Sequence, residues 1–137
     1  MVLSQGTLEF STSPKSFLDI TKEVQNFVSE SNIQNGVCNL FIKHTSASLV
    51  IQENYDPSVR KDFETIFSKL APEDFPYIHN MEGKDDMPAH IRSALTSTSE
   101  TIPVVNGTLS LGTWQGIYVW EHRDQSHNRN IIISVIG

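Results

Sequence analysis

The sequence predicts a single α+β domain: a mostly antiparallel sheet of about seven strands, with three helices. Three observations lead there. The chain has 137 residues, the usual size of one domain with one core. Its apolar residues form more short strand-like runs than helical stripes. Tight-turn signals between the later runs favour hairpin links, and hairpins make antiparallel neighbours. No internal repeat, low-complexity tract or linker interrupts the chain, so residues 1–137 read as one unit.

In residues 5–11, Leu8 and Phe10 alternate with polar neighbours, which predicts a strand. Ile20, Val24, Phe27 and Val28 follow at helical spacing, with Asp19 as the expected cap. Asn35-Gly36 signals a turn into a strand over 37–43, and 48–53 reads as another. Asp56-Pro57 opens the second helix, whose apolar stripe is Val59, Phe63, Ile66, Phe67 and Leu70. A polar loop runs from Ala71 to Asp86. Pro88 starts the third helix, with Ile91 and Leu95 facing inward. Strands are expected near 101–105, 108–112, 116–123 and 130–136, with Asn106-Gly107 joining the first two of these.

Composition narrows the function. A formal net charge of −6 argues against a broad basic face, and so against a nucleic-acid binder. A small anion held by a few local cations stays compatible with it. Cys38 is the single cysteine and has no internal disulfide partner, which favours a reducing compartment. Residues 1–22 lack the charged start and apolar run of a secretory segment. The run Ile131 to Ile136 is far shorter than the ~20 residues needed to span a bilayer. A cytoplasmic protein with no membrane or nucleic-acid partner is expected.

Three of the five histidines sit in unusual company. His44 ends an apolar strand and precedes Thr45, Ser46 and Ser48. His79 lies in a loop rich in acids, and His90 lies one turn into the third helix. Imidazoles converging from separate elements can hold a zinc-like ion with open positions left for water or substrate. The spacing is not a local metal motif, and a lone histidine is more often a satisfied polar residue. Glu82, Asp85 and Asp86 are candidate general bases or orienting groups, against the plain reading of a solvated acidic loop. Gly112 and Gly116 bracket Thr113, Trp114 and Gln115, which suggests a bulge or a close approach, with Trp114 read as core. Glu121 and Arg123 share strand parity and can pair with each other or meet a charged ligand. Arg129 with His127 offers another anion contact beside Arg123, unless that segment is a solvated turn. No nucleophile elbow, Walker loop or dinucleotide glycine fingerprint is present.

The runs HTSASLVIQENYDPSVRKD (44–62), YIHNMEGKDDMPAHI (77–91) and IPVVNGTLSLGTWQGIYVWEHR (102–123) closely resemble the YjbQ-like family, also called secondary thiamine-phosphate synthases. The resemblance extends from about residue 5 to the C-terminus. It implies a compact α+β fold, a homotrimer, and a pocket holding a divalent metal ion, zinc or magnesium. The family's motif histidines fall on His44, His79 and His90. Its acids fall on Glu53, Asp56, Glu82, Asp85 and Asp86, of which the last three are the expected catalytic group. Thr45, Gln115, Glu121 and Arg123 are the expected ligand contacts. One departure is visible: Ser97 stands where the family carries a glycine after the third helix. The activity implied joins a pyrimidine diphosphate to a thiazole phosphate with release of pyrophosphate, as a secondary reaction on a small phosphorylated substrate. The alternative is a non-catalytic trimeric module that binds a small anion or a metal.

Overall fold

The computed structural model describes all 137 residues and contains three helices and eight strands. Strand β1 (Leu3–Ser11), β2 (Phe17–Asp19), helix α1 (Thr21–Ser31), β3 (Gly36–Ile42) and β4 (Ala47–Glu53) form the first part. Helices α2 (Pro57–Leu70) and α3 (Asp86–Leu95) follow, then β5 (Ser99–Val105), β6 (Thr108–Leu109), β7 (Gln115–Glu121) and β8 (Asn128–Ile136). Every pairing between strands is antiparallel. The strands divide into a five-stranded sheet, β1-β8-β3-β5-β6, and a three-stranded sheet, β2-β7-β4. Strand β2 is not among the seven expected; three residues are too few to show a period.

Side-chain parity builds the core. Cys38, Leu40 and Ile42 of β3 point the same way as Ile131, Ile133 and Val135 of β8. They meet Leu49 of β4, Ile117 and Val119 of β7, and Val24 and Val28 of α1 in one apolar cluster. The opposite face of the small sheet is covered too: Phe67 of α2 meets Trp120 edge-on at 4.8 Å, and α3 packs along β4. With both faces covered, β7 is buried at every position after Gln115. Cys38 is fully buried, and burial pushes its thiol up to about 11, so it is inert packing.

Local chemistry sets the element ends. Asp56 accepts from the Ser58 backbone N–H at 2.9 Å and caps α2, with Pro57 in its first turn. Asp19 bonds Thr21 through both backbone and hydroxyl, although Ile20 occupies the cap position of α1. Asn106 and Gly107 both take positive φ, 51° and 74°, as a two-residue hairpin turn requires. After α3 no left-handed residue is used, and the Ser97 carbonyl accepts from Leu49 N–H at 2.7 Å. The missing glycine therefore leaves the turn intact.

The stripe on α2 is less buried than its spacing predicts. Phe63 and Phe67 reach Trp120, but Ile66 and Leu70 are 48% and 56% exposed. Trp114, expected in the core, is 54% exposed and packs only edge-on against Tyr55. A core truncation and a stripe substitution should therefore differ sharply. Leu40→Ala is expected to cost about 2–5 kcal/mol and Ile66→Ser about 0.5 kcal/mol or less, in urea unfolding at one protein concentration. Equal losses would show that α2 is seated more deeply than described.

Candidate functional site

The site gathers where β7 ends and α3 begins. Asp86 opens α3 and is buried, near the helix N-terminus where negative charge is favourable. Its Oδ2 lies 2.7 Å from His79 Nε2 and 3.3 Å from His90 Nε2. His79, Asp86 and His90 each offer one ligand atom, and these atoms lie within 4.8 Å of one another. His90 sits one helical turn after Asp86, so both project from one face of α3. Its Nδ1–H donates to the Thr45 carbonyl at 3.0 Å. That bond leaves the Nε2 lone pair turned toward Asp86, the tautomer a metal ligand needs.

Arg123 ties the acidic loop to the sheet. Its Nε donates to Asp85 at 2.8 Å, one terminal nitrogen lies 3.0 Å from Asp86 Oδ1, and the other donates to the Glu82 carbonyl at 2.9 Å. Gly83 makes the bend between them, at φ 100°, a conformation glycine adopts without strain. Burial alone would raise the Asp85 carboxyl. The Arg123 guanidinium and the Asp124 backbone N–H outweigh it and hold the group at about 2. The Glu82 side chain remains exposed, with one oxygen 3.4 Å from His79 Nε2.

His44 does not join His79 and His90 within the chain. Its Nε2 accepts from the Asn130 backbone N–H at 2.8 Å, and its Nδ1 faces an Arg129 terminal nitrogen at 3.3 Å. Both ring nitrogens point into the strand β8 side, whereas the next residue, Thr45, turns its carbonyl to His90. Thr45 thus meets the site through its backbone, with an exposed side chain. Gln115 lies at the opposite end of β7 from Glu121, about 20 Å away at ~3.3 Å per residue, and accepts from Gly112 N–H to close a turn. Glu121 and Arg123 do not pair through their side chains. Glu121 is fully buried and accepts from Arg129, at 2.7 Å from Nε, and from the Thr12 hydroxyl at 2.6 Å. Burial works to raise its pKa, and these bonds overcome it and lower it.

Two residues matter more than sequence reasoning suggested. Arg129 is buried rather than in a solvated turn, and its partners are Glu121, Ser46 and the His44 ring rather than His127. The signal was available: Arg129 shares strand parity with Ile131 and Ile133. His122 is also buried, with Nε2 2.8 Å from Ser48 Oγ and Nδ1 without a partner. Burial, then the Arg92 and Arg129 charges, push it down to about 3, so it stays neutral near pH 7. It lines a cavity of about 350 Å³ with Lys15, Ser68, Glu73, Asp85 and Arg92.

With this geometry established, comparison with known proteins places the chain. The profile described as UPF0047 protein YjbQ-like matches residues 6–137. The chain belongs to the YjbQ-like UPF0047 family. It is 52% identical over 134 residues to a UPF0047 protein of Synechocystis sp., covering 97% of this chain and 91% of the relative. It is 43% identical to YjbQ of Salmonella typhimurium, with 97% of each chain covered. A solved structure of a YjbQ/UPF0047 family protein from Clostridium acetobutylicum is similar at a TM-score of 0.87 and 37% identity, covering 95% of this chain and 98% of that one. The two chains therefore share one fold over nearly their whole length. No helix here is long and apolar enough to cross a membrane.

The Asp85–Arg123 pair sets an acid-side titration. A carboxyl held at about 2 in the folded protein, against roughly 3.9 unfolded, contributes stability that is present above pH ~4 and lost as pH falls toward 2. In the Arg123→Gln protein burial acts with less opposition, so the Asp85 carboxyl should titrate well above its wild-type value. Carboxyl-carbon NMR across pH 1.5–6 reads this directly, and an unchanged titration would mean that Arg123 does not hold Asp85.

Proposed function

We propose that this YjbQ-like protein is a metal-assisted enzyme acting on a small phosphorylated substrate. One observation carries the reading: His79, Asp86 and His90 present ligand atoms to a common point from a loop and a helix start. The donor set fits a divalent ion. Two imidazoles and one carboxylate suit zinc better than magnesium, which prefers all-oxygen surroundings. Three protein ligands leave a coordination position open, as catalytic sites do. A bound ion there would supply a Lewis acid where negative charge develops on a phosphoryl oxygen or on a pyrophosphate leaving group.

The chain's own acids then divide the work. Asp86 is a ligand whose second oxygen is fixed by Arg123. Asp85 stays ionised and positions Arg123. Glu82 is the only one of the three with a free, exposed carboxylate beside the group, and it takes the general-base role. The finer proposal follows the family resemblance: a secondary thiamine-phosphate synthase activity in a cytoplasmic homotrimer. Exposed apolar side chains support assembly near the site, since Phe75, Ile78 and Met81 flank His79 at 58%, 101% and 90% exposure. Another observation favours the non-catalytic anion-binding or metal-binding module. Asp85 and Asp86 already offset the Arg123 charge, which leaves less of it for a pyrophosphate leaving group.

Elemental analysis of the purified protein should find about one zinc-like ion per chain, lost in His90→Ala. Formation of thiamine phosphate from the two phosphorylated precursors should be detectable and chelator-sensitive. His79→Ala should cut it by about 10²–10³-fold, while His127→Ala, whose ring bonds the Gln125 carbonyl, stays near wild type. Equal turnover in the His79→Ala and His90→Ala proteins would remove this group from catalysis. Metal binding without any turnover would favour the binding module. Light scattering should give a trimer, and a stable monomer at micromolar concentration would end that part.

A further inference from the structure

Each Arg123 nitrogen already has a partner in Asp85, Asp86 or the Glu82 carbonyl, and the two carboxylates offset its charge, so a phosphorylated ligand draws its positive contacts from elsewhere. On the other side of the 43–46 loop lies an open cavity of about 500 Å³ lined by Lys43, His44, Ser46, Thr98 and Arg129 among others. Its chemistry is set by a surplus of donors around one imidazole. A neutral histidine has one donor nitrogen and one acceptor nitrogen. The Asn130 backbone N–H occupies His44 Nε2 at 2.8 Å, so Nε2 is the acceptor and the proton is on Nδ1. That Nδ1–H faces the Arg129 Nη1 group at 3.3 Å, and Nη1 is a donor only. A second proton on the ring would not relieve this, because it would place a donor against Asn130 N–H as well.

The other Arg129 nitrogens are satisfied. Nε and Nη2 donate to Glu121, and Nη2 also reaches the Ser46 hydroxyl. Nη1 and His44 Nδ1 are left as two adjacent donors at the cavity wall, with no protein oxygen bonded to either. Glu121 offsets the Arg129 charge, but Lys43, next to His44 in the chain and lining the same cavity, adds an exposed ammonium. An oxygen with two lone pairs and a negative charge answers all three groups at once.

We propose that this cavity is an oxyanion subsite, in which His44 Nδ1–H, Arg129 Nη1–H and the Lys43 ammonium hold a phosphate group. Assigning that phosphate to the enzyme's substrate rests on the function proposed above; oxyanion binding itself does not. Thr45 joins the two places, its carbonyl fixing His90 while the residue before it lines the cavity. The ligand is then a molecule whose anionic group sits at His44 while its reacting end reaches the His79–Asp86–His90 group.

The test is titration of the chelator-treated, metal-free protein with inorganic phosphate, followed by the His44 imidazole nitrogen resonances and by the thermal midpoint. Phosphate should move both His44 ring resonances saturably and raise the midpoint. Lys43→Ala and His44→Gln should each weaken phosphate binding by roughly tenfold or more, as loss of a charge-assisted contact does. Both keep the buried Arg129–Glu121 pair, and their circular dichroism should match the wild type. His79→Ala should bind phosphate as the wild type does, which separates this subsite from the metal group. If metal is absent yet phosphate perturbs His44, the subsite stands and the metal-assisted reading falls. No saturable shift at tens of millimolar phosphate, or equal affinity in the Lys43→Ala and His44→Gln proteins, would overturn the subsite and leave water as the acceptor there.

Discussion

The end of β7 is the constraint on which the functional region depends. Three consecutive residues, Glu121, His122 and Arg123, leave the sheet in three directions. Glu121 turns inward to Arg129, His122 turns to Ser48 under α3, and Arg123 reaches across to Asp85 and Asp86. Buried pairs of this kind add little net stability, because desolvation offsets most of the attraction. Breaking one is another matter, since it strands a buried charge. Their effect here is positional: a loop whose large apolar side chains stay exposed is fastened to a rigid strand, and α3 starts where that strand ends.

That fastening explains how the acids come to differ. Asp85, Asp86 and Glu82 lie within five residues and look alike in a sequence. The fold gives Asp85 a guanidinium and a backbone N–H, gives Asp86 two imidazoles and the same guanidinium, and leaves Glu82 in solvent. One stays ionised well below the usual carboxylate range, one sits between the histidines, and one faces solvent beside His79. Environment rather than residue type sets the three carboxylates apart.

Most of the fold was legible because it rests on short-range rules. Alternation found seven of the eight strands, Asp56-Pro57 found the start of α2, and Asn106-Gly107 found its hairpin. What could not be read depends on which neighbour arrives from far away in the chain. The stripe on α2 has correct spacing, yet only Phe63 and Phe67 find Trp120; nothing local says that Ile66 and Leu70 remain uncovered. The site shows the same limit. His79 and His90 lie close in sequence to Asp86 and are brought to it by a loop and a helical turn. His44 carries an equally suggestive motif, but its ring direction is set by Asn130 and Arg129, more than eighty residues later.

The loop from Lys43 to Ser46 converts that long-range pairing into a division of the site. The segment joins β3 of the five-stranded sheet to β4 of the three-stranded one, and within it Thr45 and His44 bond different neighbours. Thr45 presents a carbonyl, which fixes a tautomer and carries no charge. His44 presents a ring already committed at one nitrogen by backbone. A third imidazole at the His79–Asp86–His90 group would need the loop to rotate and would break the Asn130 bond and the His90 contact together. Within the chain, the pairing holds His44 at Asn130 and Arg129, beside the neighbouring cavity, and leaves His79, Asp86 and His90 as the group at the start of α3.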